Sequence, residues 1–434
     1  MSSAGRWSLP RAEAHLRSLE LFGMRFGLQR IRRLMTALGS PQRSFAAIHV
    51  VGTNGKSSTT RMTAAILAEH GYRTGAYLSP HLLSYTERVQ IDGVDIEADA
   101  FAAALQRAVH AAEQVNRTLS EDEHVTQFEL LTAAAFFALA QRQVEVAVIE
   151  AGLGGRYDAT NVLQAPVCVL TNVALEHTRW LGPTIGDIAT EKLAVVPERA
   201  TLVLGPGIAA QALARARALA AEAGVRIVAV RSGDVEGSSA SQAQWSAPFQ
   251  ARNLATARAA AECFLAAAGR SLDEGAWQRA RARAAVAGRF QCVRTQPLTI
   301  FDGAHNPAAA QALAEALAAR IGGRPLALVL GVLEDKDAVG MLRALLPLSA
   351  RAWFTAPPGP RALPPATLAS LARQLGFLQS ECQPRAEQAL RCAWEWAAAN
   401  DAAVLATGSI YLLGELIGAL PDAWRCDARQ AGER

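Results

Sequence analysis

A glycine-bracketed loop near residue 52 constrains the fold of this chain more than any other stretch of its sequence. An apolar run at residues 48–51 leads into this loop, and a helix-forming segment follows it. Backbone N–H groups that converge in such a turn, together with the positive end of a helix dipole, form a phosphate cradle. Residue 50 is valine where the full P-loop pattern has glycine, so only the inner half of that pattern matches. The predicted nucleotide-binding residues are Gly52, Thr53, Asn54, Gly55, Lys56, Ser57 and Ser58.

The composition is typical of a soluble globular protein with two domains, because 434 residues exceed one ordinary core. The formal net charge of +4 is small, and the arginines are spread through alanine-rich helices, which argues against a nucleic-acid surface. Six scattered cysteines without a CxxC pair favour reduced thiols in a cytoplasm. The first ten residues lack a signal-peptide core, and the longest apolar run, residues 130–140, is too short to span a bilayer.

Strand-like runs alternate with helical patterns, which predicts an α/β fold with largely parallel sheets. We expect a P-loop ATPase domain with a mostly parallel sheet over residues 1–288 and a smaller Rossmann-like α/β domain over residues 297–434. The linker is placed at about residues 288–297, where the pattern restarts. A Gly/Ser-rich segment at residues 232–241 is predicted to be a loop.

Two candidate metal ligands follow predicted strands, at the sheet edge where ligands of parallel sheets gather. Glu150 ends an apolar strand and precedes a glycine-rich segment, and a carboxylate there matches the oxygen preference of Mg²⁺. The alternative is a strand-terminal glutamate that faces solvent. Ser79 can give a hydroxyl to a metal or can simply belong to a turn.

His177 and Lys192 are two further candidates in the first domain. His177 follows another strand end, and the neighbouring Glu176 favours a ligand role over a structural one. Lys192 lies on a predicted helix, and composition alone gives no reason to prefer anything but an exposed lysine.

Four residues near the start of the second domain are weaker candidates. Asp302 and His305 follow its first predicted strand, and Asn253 and Arg289 lie shortly before it. They are considered because a cleft between two domains is a common ligand site.

Taken together, these motifs resemble the folylpolyglutamate synthase/dihydrofolate synthase family of the Mur-ligase superfamily. The match runs in order through nearly the whole chain and includes the segments 26–31, 52–58, 77–82, 85–89, 126–129, 150–161, 171–177, 191–192, 288–291, 301–307 and 331–337.

This resemblance implies an ATP-dependent amide ligase. The γ-carboxyl of a folate, or the carboxyl of dihydropteroate, becomes an acyl phosphate that the amino group of L-glutamate attacks. It also implies that Ser79 and Glu150 hold one Mg²⁺, that His177 holds a second, and that Lys192 is carbamylated. ATP and Mg²⁺ are the implied cofactors, and a monovalent cation is allowed.

The resemblance assigns the remaining site residues as well. Asn253, Arg289 and Asp302 match ATP-contacting positions, and His305 matches a position near the glutamate and the transferred group. Lys56, Lys192 and His305 are therefore the predicted catalytic residues. Relatives suggest a monomer with small-molecule substrates and no nucleic-acid or membrane partner. The predicted substrate-binding residues are Thr126, Gln127, Phe128, Glu129, Tyr157, Asp158 and Ala159.

One departure leaves alternatives open. Many family members have glycine after the P-loop lysine, whereas Ser57 here is as in the cell-wall branch of the superfamily. A cell-wall or cyanophycin-type ligase is the first alternative, although only about 45 residues precede the P-loop strand and the cell-wall enzymes usually carry an extra N-terminal domain. A nucleotide switch without ligase activity is the second, and the presence of Glu150, His177 and Lys192 together argues against it.

Overall fold

The chain folds into two α/β units. The computed structural model describes residues 5–19, 26–239, 247–282 and 286–420. One unit contains Met1–Ser238 and Arg252–Arg281, and the other contains Ser239–Ala251 and Ala282–Arg434. Each is built on a mostly parallel sheet, which confirms the predicted fold class.

The first unit has an eight-stranded sheet with the order β4-β3-β2-β5-β1-β6-β7-β8. The central strand β1 pairs in parallel with β5 and β6, while β3 and β4 form an antiparallel hairpin arm at the edge. The strands β1, β5 and β6 are apolar and almost wholly buried, as parallel strands covered on both faces must be. The strands are β1 Ala46–Val51, β2 Thr74–Tyr77, β3 Val89–Ile91, β4 Val94–Asp95, β5 Val146–Glu150, β6 Val167–Leu170, β7 Thr201–Leu204 and β8 Arg226–Ala229.

Helices cover both faces of this sheet, and their buried residues join its core. The described helices of this part of the chain are α1 Leu9–Ser18, α2 Gln29–Ala37, α3 Lys56–Glu69, α4 Ala98–Asn116, α5 Gln127–Gln141, α6 Thr178–Leu181, α7 Ile185–Leu193, α8 Ala210–Ala223, α9 Ser232–Ser239, α10 Pro248–Ala267 and α11 Glu274–Ala282. No helix in the described ranges combines the length and the apolar composition needed to cross a membrane.

The second unit has a six-stranded sheet with the order β13-β12-β11-β14-β10-β9, in which only β9 runs antiparallel to its neighbour. Its own apolar core lies between this sheet and the helices. The strands are β9 Gln291–Thr295, β10 Leu298–Asp302, β11 Leu326–Leu330, β12 Ser349–Phe354, β13 Ser380–Cys382 and β14 Ala403–Thr407. The helices are α12 Pro307–Ile321, α13 Ala338–Leu345, α14 Pro365–Gln374, α15 Ala386–Ala399 and α16 Ile410–Ala419.

The structure differs from the sequence-based expectations in two segments. Residues 291–295, placed within the expected linker, form β9 and pair with β10. Residues 232–239 form helix α9 instead of a loop, and residues 240–241 lie outside the described residues. Asp234 accepts a hydrogen bond from the Arg231 N–H at the start of α9 (2.8 Å), a local cap that the Gly/Ser composition does not reveal.

Candidate functional site

The phosphate loop lies between β1 and α3, as the sequence predicts. Helix α3 begins at Lys56, and Gly55 precedes it in the left-handed region with a φ of 81°. A Cβ at position 55 would lie 2.3 Å from Asn253 Oδ1, so any other residue would displace the Asn253 side chain from this approach. The structure therefore brings the predicted nucleotide residue Asn253 against the loop.

The segment after β6 holds the loop in shape. The Asn54 N–H donates to Asn172 Oδ1 (2.9 Å), and the Asn54 carbonyl accepts from Thr171 Oγ1 (2.7 Å) and Asn172 Nδ2 (3.0 Å). The Thr53 hydroxyl accepts from the Ala174 N–H at 3.1 Å. These bonds fix the loop backbone before any ligand arrives, because both the N–H and the carbonyl of Asn54 are hydrogen-bonded to the segment after β6.

Two lysines contact the carbonyl groups of the same loop. Lys56 Nζ donates to the Thr53 carbonyl at 3.1 Å, and Lys192 Nζ donates to the Gly52 carbonyl at 2.8 Å. Lys192 is only 5% exposed, so the interpretation as an exposed lysine is wrong. Burial and, next, the charge of Lys56 lower the pKa of Lys192 to about 7.

Glu150 lies at the end of β5, and its carboxylate accepts hydrogen bonds from two serine residues. It is 1% exposed, which rules out the solvent-facing alternative. Ser57 Oγ donates to Glu150 Oε1 (2.9 Å), and the Ser79 N–H donates to Oε2 (3.0 Å). The structure thus brings Ser57, Ser79 and Glu150 together, while Ser58 is buried within α3.

This donor set suits Mg²⁺ better than a transition metal. In the described part of the chain, no three His, Cys, Asp or Glu side chains are close enough to hold a metal ion together. Mg²⁺ does not require such a cage, because it takes one or two protein carboxylates and completes its shell with water and substrate phosphates. One carboxylate with neighbouring hydroxyl groups fits that preference.

His177 adopts an uncommon backbone conformation at the start of α6. Its φ of 51° is in the left-handed region, where non-glycine residues concentrate at functional sites. Its Nε2 atom lies 3.7 Å from Glu176 Oε1. The role of His177 in holding a metal stays a prediction.

The side chains of three predicted substrate residues have protein partners at the start of α5. Thr126 and Glu129 form a capping box, with the Thr126 N–H donating to Glu129 Oε2 at 2.8 Å. Buried Arg30 pairs with Glu129 at 3.2 Å, and Gln127 Nε2 donates to the Leu16 carbonyl at 3.0 Å. These contacts position the start of α5, and contact with substrate stays a prediction for these residues.

The other predicted substrate residues lie around the loop after β5. Asp158 is buried and accepts from the Leu153 N–H (2.8 Å) and the Thr160 N–H (3.0 Å), and burial raises its pKa. Ala159 is buried beside it. The Phe128 ring lies 6.3 Å from the Tyr77 ring.

Tyr157 belongs to an exposed aromatic cluster that we call the aromatic surface, formed by Phe26, Tyr157 and Trp180. The Phe26 ring lies 5.6 Å from each of the other two rings. The three residues are 48%, 49% and 39% exposed, respectively. Large exposed aromatic groups from three separate segments are typical of a binding surface.

Asp302 anchors the predicted site residues of the second unit. Its carboxylate accepts from the Phe290 N–H (2.7 Å) and the Ala304 N–H (2.8 Å). Burial raises the pKa of Asp302, and the charge of Arg289 opposes that rise. His305 Nδ1 donates to the Gly303 carbonyl at 2.9 Å. The structure therefore groups Arg289, Asp302 and His305 at the end of β10.

Comparison with known proteins identifies the family. Residues 50–204 match the Mur ligase middle domain, and residues 288–410 match the Mur ligase glutamate ligase domain. A dihydrofolate synthase/folylpolyglutamate synthase of Escherichia coli K12 is 34% identical over 432 residues, covering 96% of each chain. The protein of that name from Mycobacterium tuberculosis is 38% identical over 366 residues, covering 77% of this chain and 75% of its own. The chain belongs to the folylpolyglutamate synthase/dihydrofolate synthase family.

Solved structures of the folylpolyglutamate synthase/dihydrofolate synthase family share the fold. Mycobacterium tuberculosis folylpolyglutamate synthase complexed with ADP superposes with a TM-score of 0.85 at 32% identity, covering 98% of both chains. E. coli FolC in complex with DHPP and ADP gives a TM-score of 0.81 at 30% identity, covering 98% of this chain and 100% of that one. The resemblance inferred from the motifs is confirmed.

The sequence analysis did not predict two residues of the site of this folylpolyglutamate synthase/dihydrofolate synthase family member. Thr171 and Asn172 hold the phosphate loop, although neither was assigned a role. Their signal was a polar Thr-Asn pair directly after a buried strand, at the edge where ligands gather.

Proposed function

We propose that this chain joins L-glutamate to folates, and also to dihydropteroate, with ATP as the energy source. The observation that carries the proposal is the clustering of Lys56, Lys192, Glu150 and Ser57 around one phosphate loop. Phosphoryl transfer to a carboxylate needs charge neutralisation and in-line positioning, and it needs no protein nucleophile. No covalent enzyme intermediate is therefore expected.

The loop supplies the phosphate-binding groups. The N-terminus of α3 offers its first backbone N–H groups to an anion, and Lys56 adds a positive charge. When ATP binds, Lys56 Nζ leaves the Thr53 carbonyl for the outer phosphates. Asn253 contacts the nucleotide from its position beside Gly55.

Glu150, with Ser57 and Ser79, would hold Mg²⁺, and His177 would hold a second ion. A bound Mg²⁺ ion neutralises phosphate charge and orients the transferred group. Ser57 and the Ser79 N–H keep the carboxylate of Glu150 in one orientation. A monovalent cation is compatible with the same oxygen-rich environment.

Lys192 is the residue proposed to be carbamylated. Carbamylation requires the neutral amine, and a pKa lowered to about 7 provides it near neutral pH. The product is an anionic oxygen donor next to the loop. It also removes the repulsion between Lys56 and Lys192.

The aromatic surface and Asp158 are proposed to receive the substrate ring. Tyr157 precedes Asp158 in the loop after β5, and Trp180 lies on α6, which His177 begins. Aromatic faces provide stacking area at a low entropic cost. The roles of Arg289 and Asp302 toward ATP, and of His305 toward glutamate, remain proposals based on the family resemblance.

Product analysis tests the proposal. Purified protein is incubated with ATP, Mg²⁺ and labelled glutamate, with either tetrahydrofolate or dihydropteroate. Glutamylated products with both acceptors support the dual activity, and a product with tetrahydrofolate alone limits it to polyglutamylation. ATP hydrolysis that ignores both acceptors and glutamate would favour a nucleotide switch.

The phosphate-loop assignment has its own test. Lys56→Ala should abolish ligation and leave the melting temperature close to that of the wild type, because the loss falls on phosphate charge and not on packing. Retained ligation by this variant would reject the assignment.

A further inference from the structure

A histidine lies in the middle of β1, a buried parallel strand that is otherwise apolar. His49 is 1% exposed and stands between Ile48 and Val50, which are both fully buried. Parallel strands that are covered on both faces normally carry apolar side chains. A buried polar group is unfavourable unless it is hydrogen-bonded, so the ring of His49 requires a partner within the core.

That partner is the first member of a chain of buried hydrogen bonds. His49 Nε2 lies 2.8 Å from Thr160 Oγ1, and the Thr160 hydroxyl donates to Asp158 Oδ1. Because the hydroxyl has one proton and gives it to Asp158, His49 Nε2 must carry an N–H and donate to the Thr160 oxygen. Burial lowers the pKa of His49 to about 4, so near pH 7 the ring is neutral and its one N–H is the one on Nε2. The chain therefore runs in one direction, from His49 through Thr160 to Asp158.

Asp158 accepts hydrogen bonds from several parts of the loop after β5. The Thr160 N–H donates to Oδ1 at 3.0 Å, and the Leu153 N–H donates to Oδ2 at 2.8 Å. A Cβ on Gly152 would lie 3.1 Å from Oδ2, so the loop backbone closes around the carboxylate. Burial raises the pKa of Asp158, and these hydrogen bonds oppose that rise. Each donor therefore helps to keep the carboxylate ionised and the loop in one shape.

We propose that His49 and Thr160 are positioning residues for binding of the acceptor substrate. His49 orients the Thr160 hydroxyl, which in turn orients the carboxylate of Asp158 and the segment that contains Tyr157. This inference rests on the proposed function, in which that segment receives the ring of the folate or dihydropteroate.

The effect should fall on the acceptor and not on the nucleotide. The contacts that shape the phosphate loop come from Thr171 and Asn172, after β6, and Ser57 contacts Glu150. None of these hydrogen bonds includes His49 or Thr160. Loss of the buried chain should therefore leave the nucleotide site intact.

Isothermal titration calorimetry tests the inference, with the dissociation constants of the acceptor and of ADP measured separately. Tetrahydrofolate and dihydropteroate serve as acceptors, without glutamate. In Thr160→Val the dissociation constant of the acceptor should rise by roughly tenfold, the size expected for one lost hydrogen bond to a charged group. The affinity for ADP should stay as in the wild type. Thr160→Ser keeps the hydroxyl and should restore acceptor binding.

Variants of His49 repeat the test at the other end of the chain, and they carry it if Thr160→Val does not fold. His49→Leu should weaken acceptor binding in the same direction as Thr160→Val. His49→Gln provides an amide N–H at a similar reach from the backbone and should recover most of the affinity.

His70→Leu is the matched control for the loss of a buried histidine. His70 is 7% exposed, its Nδ1 donates to the Ile66 carbonyl at 2.7 Å, and its Nε2 accepts from the Asp273 N–H at 2.8 Å. It follows the 14-residue helix α3 at the end away from Lys56, a span of roughly 20 Å. This variant should lower the melting temperature, as His49→Leu does, and keep the acceptor affinity.

Three results would overturn the inference. If Asp158→Asn weakens acceptor binding while Thr160→Val and His49→Leu do not, Asp158 acts without the chain and the proposed function stands. If Asp158→Asn has no effect either, or if the wild type binds neither acceptor, the proposed role of the segment fails together with the inference. If His70→Leu weakens acceptor binding as much as His49→Leu, the cause is a general loss of stability.

Discussion

Lys192→Met should stabilise the nucleotide-free protein at neutral pH. Lys192 is 5% exposed, and burial lowers its pKa from 10.5 to about 7. The unfolded chain keeps the ordinary pKa, so it binds more protons than the folded chain between pH 7 and 10.5. Folding must therefore overcome an unfavourable free energy at pH 7 that methionine, of similar length, does not carry.

The size of this effect follows from the two pKa values. One pKa unit corresponds to about 1.4 kcal/mol, and a difference of 3.5 units gives a cost of about 4 kcal/mol at pH 7 and about 2 kcal/mol at pH 9. The loss of the hydrogen bond to the Gly52 carbonyl offsets about 1 kcal/mol of the gain. Stability of the wild type rises with pH through this window, because the unfolded state is the more protonated one.

The prediction is tested by measuring the free energy of unfolding in urea, followed by circular dichroism, in CO₂-free buffer at pH 7 and at pH 9. The free energy of unfolding of Lys192→Met should exceed that of the wild type at pH 7, and this difference should be about 2 kcal/mol smaller at pH 9. Lys336→Met, which alters a partly exposed lysine that lies 3.7 Å from Asp335 and away from the phosphate loop in the sequence, is the matched control. An advantage that is absent at pH 7, or that does not change with pH, would refute the assignment of a buried amine with a lowered pKa. Added bicarbonate should stabilise the wild type and not Lys192→Met if carbamylation occurs.

Three further substitutions test the contacts around the site. Gly55→Ala should abolish ADP binding measured by calorimetry, because the new Cβ meets Asn253 Oδ1. Gly71→Ala is the control, since Gly71 has a similar φ of 84° but open space around it. This control should lose only about 1 kcal/mol of stability and keep its affinity for ADP. Arg30→Met should destabilise the protein by about 3–5 kcal/mol in urea unfolding, because it removes the ion-pair partner of buried Glu129. Arg142→Met is the control: it breaks the exposed pair with Glu97 and should cost less than about 1 kcal/mol. Thr171→Val should weaken ADP binding severalfold through the lost bond to the Asn54 carbonyl, and equal affinity would show that this bond does not shape the loop.

The local part of the site was predictable from the sequence. A buried strand, a glycine turn and a helix starting at Lys56 are contiguous, so spacing alone predicts where the backbone amides converge. Glu150 was likewise found because it ends an apolar strand. The β9 strand was missed because its sequence, Gln-Cys-Val-Arg-Thr, lacks the strict alternation of polar and apolar side chains that predicts a strand.

The non-local part was not predictable from a single sequence. Lys192 contacts Gly52 across 140 residues, and nothing in its own helix distinguishes a buried lysine from an exposed one. Thr171 and Asn172 reach Asn54 across more than a hundred residues in the same way. The environment of each side chain depends on the parallel pairing of β1 with β6, which a local pattern does not encode.

Ser57 is the residue at which this chain departs from many members of its family. In the structure its hydroxyl donates to Glu150 at 2.9 Å, next to the bond from the Ser79 N–H. Glycine at this position would remove one of these donors and has a lower helix propensity than serine. Donors that orient a ligating carboxylate raise the affinity of a metal site. Ser57 therefore helps to orient the carboxylate of Glu150, and it does so in a chain that belongs to the folate branch of the superfamily.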